Sequence, residues 1–86
     1  MATVHIPAIL RPLTGGTAEV QAVGATLREI IADVVRQQPK LVDRIADANG
    51  LLPEIMVAIG DTEALNVDTP VPDGSEVWVL PSIAGG

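Results

Sequence analysis

Alternation is the first pattern along this chain. In "TVHIPAIL", Val4, Ile6, Ala8 and Leu10 fall on one face and Thr3, His5 and Pro7 on the other, the period of a half-buried strand. Pro7 has no amide hydrogen to give to a neighbouring strand, so it predicts an open edge or an irregularity. "LTGG" supplies turn residues and "TAEVQAV" alternates again. The two segments predict a hairpin that uses Gly15 and Gly16 for positive φ. The period then lengthens. Thr26 followed by Glu29 is a capping box, and Leu27, Ile30, Ile31, Val34 and Val35 form one helical stripe opposite Arg28, Asp33, Arg36 and Gln37. This predicts an amphipathic helix of about three turns laid on a sheet.

Pro39 ends that helix and predicts a shorter one over "KLVDRIADA", with Leu41, Val42 and Ile45 inward and Asn49-Gly50 as its stop. "EIMVAIG" returns to strand, with Ile55, Val57 and Ile59 inward. "DTEALNVDTPVPDG" reads as an edge segment plus a polar loop closing at Asp73-Gly74, and "SEVWVLP" as the final strand. Two hairpins bracket one main helix. The predicted fold is an α+β roll of the β-grasp type, a mixed sheet of four to five strands with the helix across one face. Its last strand lies parallel to the first near the sheet centre, reached by a long crossover. The expected organisation is one domain over residues 1–82 and a flexible tail over 83–86.

Composition narrows what such a domain does. Hydrophobic residues are 48% of the 86, yet there is one Trp and no Phe or Tyr, so Val, Ile, Leu and Ala must build the core. The absence of Cys excludes disulfides, thiolate metal sites and cysteine nucleophiles. A formal charge of −6 argues against nucleic acid as a partner. No window approaches the roughly 20 apolar residues of a membrane span, and "MATVHIPAIL" lacks the basic start of a signal peptide. A cytoplasmic protein with no membrane partner is expected.

Few residues offer chemistry. His5 is the one histidine, with no motif around it to make a triad, and reads as a solvent-facing strand residue. Asp61, Glu63, Asp68 and Asp73 do not follow calcium-loop spacing and read as a solvated, turn-forming stretch, so no metal site is assigned. Gly15-Gly16 lacks the Lys and Ser/Thr of a phosphate loop and is a turn. In "EVWVL", Val77 and Val79 share one face and Trp78 and Leu80 the other. If the helix covers the valines, Trp78 and Leu80 look outward with Met56 and Ala58 and form a docking surface for another protein; the alternative is that Trp78 closes the core.

The chain ends "PSIAGG". A narrow tunnel can thread residues without Cβ atoms, and an unhindered terminal carboxylate is open to attack once activated. Nothing in the chain supplies activation, so the sequence reads as a carrier or substrate rather than an enzyme. Gly86 holds the reactive carboxylate, Gly85 the slender approach, and Ile83 and Ala84 guide the tail.

"DGSEVWVLPSIAGG" resembles the C-terminal signature of the ubiquitin-like sulfur carriers: an Asp-Gly turn, an aliphatic strand and a proline before terminal Gly-Gly. That family includes the small subunit of molybdopterin synthase, the thiamine-thiazole sulfur carrier and a carrier serving a thiocarboxylate route to cysteine. "VHIPAILRPLTGG" is most similar to the cysteine carrier, although "EIMVAIGDTEAL" lacks the aromatic residue and the turn Asn that the family often carries. The resemblance implies adenylation of Gly86 by an ATP-using partner similar to ubiquitin-activating enzymes, then conversion to a thiocarboxylate. It also implies sulfur transfer to a pyridoxal-phosphate cysteine synthase and release by a metalloprotease. The carrier itself binds no stable cofactor. Alternatives are a molybdopterin synthase small subunit, a modifier conjugated to lysines through Gly86, or a module that binds by its sheet face alone.

Overall fold

A computed structural model of the chain describes residues 1–81. Seven strands and one α-helix follow in order: β1 (Ala2–His5), β2 (Glu19–Ala22), α1 (Leu27–Gln37), β3 (Ala46–Asp47), β4 (Gly50–Leu51), β5 (Ile55–Ile59), β6 (Thr62–Ala64) and β7 (Glu76–Pro81). Five of them form one sheet in the order β2-β1-β7-β5-β6. β7 is central and parallel to β1; the other pairs are antiparallel. This is the mixed sheet and central parallel pair expected of a β-grasp roll.

The core lies between α1 and one sheet face. Leu27, Ile30, Ile31 and Val34 of the helix meet Val4, Val20, Val57, Val77 and Val79 of the strands, all buried. Among the described residues this core cluster is aliphatic throughout, in keeping with the lack of Phe and Tyr. Thr26 caps α1 by accepting from Glu29 N, while the Glu29 carboxylate accepts from Ala25 N at 2.7 Å, one residue earlier than a standard capping box. The helix's first free amides are met by the long loop before β7: Leu27 N donates to Thr69 O (2.9 Å) and Arg28 N to Val67 O (2.7 Å). Val67 and Val71 of that loop are themselves buried, so a segment that reads as solvated is partly a core element. Its acidic residues Asp61, Glu63, Asp68 and Asp73 are exposed; Asp68 pairs with Arg28 at 3.0 Å and Asp73 with the N-terminal amine.

Two expectations need correction. β1 ends at His5, and Ala8–Thr14 is a 3₁₀ segment closing in the left-handed Gly15 (φ 65°). Leu10 is still buried, but Ala8 is exposed. Pro7 explains the break. Thr3 N donates to Ser75 O across the β1–β7 ladder, the register reaches His5↔Trp78, and the next amide aimed at β7 is that of Pro7, which carries no hydrogen. Secondly, "KLVDRIADA" is not a helix. One 3₁₀ turn (Pro39–Leu41) gives way to Asp43 at φ 57°, and then to the hairpin β3–β4. Asn49-Gly50 belongs to that hairpin's turn, where the Asp47 carboxylate accepts from Asn49 N (2.8 Å) and Gly50 takes φ 113°. Leu41 and Ile45 are buried as expected, but Val42 is 55% exposed.

Asp33 and Gln37, placed by their spacing on the solvent side of α1, reach instead to the free edge of β2. Asp33 Oδ2 accepts from Val23 N (3.0 Å) and Gln37 Nε2 donates to Gln21 O (2.7 Å). The Val23 amide first, and the Arg36 guanidinium 2.6 Å away second, hold the Asp33 carboxyl below the usual carboxylate range.

Candidate functional site: the outer sheet face

The face turned away from α1 carries the residues that the sequence singles out for docking. Val77 and Val79 point into the core at 1% and 2% exposure while Trp78 stands 40% exposed, which settles the orientation of β7. Register brings the predicted residues together: Met56 lies beside Leu80 and Ala58 beside Trp78 across β5–β7. On the other flank His5 of β1 pairs with Trp78. Glu19, His5, Trp78, Ala58 and Glu63 thus run as one row across five strands. Trp78, Leu80 and Met56 form one apolar patch; Met56 and Leu80 are half-buried.

His5 is not simply solvent-facing. Its ring stacks on the Trp78 indole, with centroids 3.7 Å apart and planes 8° from parallel. Nε2 bonds the Glu76 carboxylate, and Nδ1 lies 3.7 Å from a Glu19 oxygen. The imidazole is a positioning group: it fixes the indole and joins the apolar patch to an acidic rim.

Beside this row lies a groove of about 400 Å³, lined by Pro7, Ala8, Arg11, Trp78, Val79 and Pro81 among others. Arg11 is anchored there through Nε, which donates to Ile6 O at 3.1 Å. Sequence reasoning missed Arg11 because nothing in the alternating pattern foretells a 3₁₀ turn that returns residue 11 to β7. Beyond Pro81 a second groove of about 480 Å³ is lined mainly by Ile9, Leu10, Leu13, Leu52 and Ile55. Pro81, the last described residue, borders both. The tail residues Ile83, Ala84, Gly85 and Gly86 lie outside the described residues. Among the described residues no helix is long and apolar enough to cross a membrane.

A mixed sheet of this order, one helix on one face and an apolar, Trp-centred patch on the other, defines a ubiquitin-like β-grasp domain. The chain belongs to the ThiS family, whose model matches residues 4–86. It is 34% identical over 90 residues to the sulfur carrier protein CysO of Mycobacterium bovis, covering 98% of this chain and 97% of that one. Among solved structures, a chain of the Amycolatopsis orientalis BexX/CysO complex superposes with a TM-score of 0.89 at 37% identity, covering 100% of both chains. Mycobacterium tuberculosis CysO gives 0.87 at 31% identity, covering 96% of this chain and 100% of that one. Small archaeal modifier protein 1 of Haloferax volcanii shares the fold, with a TM-score of 0.76 at 24% identity over 99% of this chain and 98% of that one.

Proposed function

We propose that this protein is a sulfur carrier whose working atoms are the carboxylate of Gly86. The observation that carries the reading is the family match running through residue 86, so that it includes both final glycines. An activating partner uses ATP to convert the Gly86 carboxylate to an acyl-adenylate, releasing pyrophosphate. A sulfur nucleophile then adds to the carbonyl and expels AMP, leaving a thiocarboxylate. Each step needs an unhindered carbonyl carbon on a chain slender enough to enter an active site, which Gly85 and Gly86 provide and Ile83 and Ala84 guide. Trp78, Leu80 and Met56 dock the activating enzyme.

Similarity to sulfur carrier proteins named CysO at 34% identity favours cysteine synthesis as the destination. The acceptor is then an enzyme that adds the thiocarboxylate sulfur to an aminoacrylate on pyridoxal phosphate, and a metalloprotease frees the product and restores Gly86. These events take place in the cytoplasm, and the carrier contributes no catalytic group.

The test is intact-mass measurement after incubation with ATP, sulfide and soluble extract of the host. Exchange of one oxygen for one sulfur, mapped to the C-terminal peptide, is the expected result. An unchanged mass while a known carrier is converted in the same extract overturns the reading in favour of a module that binds by its sheet face.

A further inference from the structure

The groove beside Trp78 sits on a break in the sheet. Along β1 the amides alternate in direction: Thr3 N donates toward β7, to Ser75 O at 3.0 Å, and Ile6 N toward β2, to Ala18 O at 2.8 Å. Residue 7 therefore turns its nitrogen toward β7, opposite the carbonyl of Val79. Being proline it donates nothing, and the ladder stops. β5 cannot take up that carbonyl either. Gly60 N donates to Glu76 O at 2.8 Å, which fixes the alternation across β5–β7 and makes Val79↔Val57 a non-hydrogen-bonded pair.

By the same alternation the carbonyl of Pro81 faces this edge, and Pro81 also lacks an N–H. Val79's own amide is taken by His5 O in the register of the parallel ladder. Among the described residues, the β7 edge beyond His5 thus offers two acceptors, Val79 O and Pro81 O, and no backbone donor. Both residues line the groove, and Arg11 stands in it with its Nε held by Ile6 O. Among the described residues no acidic group pairs with Arg11.

We infer that this edge receives an extended segment of a partner protein, laid beside Val79–Pro81 as an added strand, that donates two backbone amides and carries an acidic side chain to Arg11. Backbone pairing supplies the attachment in such strand addition, and side chains supply the choice of partner. Here the acceptor-only edge demands donors, Arg11 demands a carboxylate, and Trp78 with Leu80 accommodates an apolar residue on the outer face. The groove is bordered by Pro81, which precedes Gly86 by five residues in the sequence. Naming the partner as an enzyme that acts on the tail rests on the proposed function; the strand-addition site does not.

The test uses full-length ¹³C,¹⁵N-labelled protein and a capped peptide, Val-Asp-Val-Asp-Val, with neither ATP nor sulfide, so its failure is separable from failure of the sulfur-carrier reading. Titration is expected to move the carbonyl resonances of Val79 and Pro81, and N-methylation of every peptide amide to weaken binding at least tenfold. Arg11→Gln is expected to weaken the Asp peptide several-fold and leave its Asn analogue unchanged. Pro7→Ala supplies the missing donor from within the chain, and a folded Pro7→Ala protein is expected to lose the peptide. Equal binding of the N-methylated peptide, shifts confined to the Trp78 and Met56 side chains, or no binding by the unmodified peptide would each overturn the inference.

Discussion

His5 lies flat on Trp78, with ring centroids 3.7 Å apart, although the two residues come from opposite ends of the chain. The stack follows from the parallel pairing of β1 with β7, which sets His5 directly beside Trp78 on the outer face. Glu76 and Glu19 flank the imidazole. The indole is therefore held in one orientation, and a surface ordered in advance lowers the ordering cost of the docking proposed for it.

Replacing the imidazole isolates that contribution. His5→Ala is expected to lower stability by about 0.5–1.5 kcal/mol, the worth of an aromatic pair, with the lower end favoured by the exposure of Trp78. Because Trp78 is the single tryptophan, its fluorescence reports the site without interference. Emission should shift to the red and become more accessible to acrylamide. Unchanged emission would mean that the stack does not hold the indole in solution.

Gly24 occupies a different kind of tight place. A Cβ there would sit 2.6 Å from Glu29 Cβ and 2.9 Å from Ile30 N, and the second of these is helix backbone that cannot swing aside. Gly24→Ala is expected to cost about 1–3 kcal/mol, as overpacking does, measured as a lower urea midpoint with an unchanged slope. Gly15→Ala, with nothing within 4 Å but φ 65°, tests strain without a clash; the two losses should differ in origin and add when combined.

Asp33 ties pH to stability. Its carboxyl is held below the usual range by the Val23 amide first and Arg36 second, so the folded state favours the charged form. A depressed carboxyl contributes stability that is present above its unfolded-state pKa and is lost as pH falls through its folded-state pKa. Asp33→Asn keeps an acceptor for Val23 N and removes the charge. Wild type should exceed the variant in urea midpoint at neutral pH, and the gap should close below the usual carboxylate range. A gap that does not change with pH would assign the effect to shape rather than charge.

The strands and the main helix were legible because each rests on local periodicity: Val77 and Val79 against Trp78 and Leu80, or the Leu27–Val35 stripe behind Thr26. The false second helix has a physical reason as well. Leu41, Val42 and Ile45 fit helical spacing after an N-terminal proline, but the same spacing fits a 3₁₀ turn running into a hairpin, and the left-handed Asp43 that decides between them has no sequence signature. That Trp78, Leu80 and Met56 share the outer face was readable, since alternation assigns faces. Arg11 and the His5 stack were not readable, because both depend on pairing between distant segments. Pro7 was the exception: a missing amide is visible in the sequence, and it marks where the sheet opens.

Separating the outer sheet face from the core gives the most direct test of the proposed docking role. Leu27 is fully buried, and Leu27→Ala is expected to cost about 2–5 kcal/mol while leaving thiocarboxylate formation per folded molecule unchanged. Trp78→Ala should do the reverse. Its side chain packs on His5 at the surface rather than in the core, so the loss of stability stays near that of His5→Ala. If Trp78 anchors the activating enzyme, its removal should slow conversion of the terminal carboxylate by about 30-fold, equivalent to the roughly 2 kcal/mol threshold of an interface hot spot. Both variants are compared with wild type by the initial rate of oxygen-for-sulfur exchange in intact mass, normalised to folded protein by circular dichroism. A Trp78→Ala protein converted as fast as wild type would move the docking site off this face.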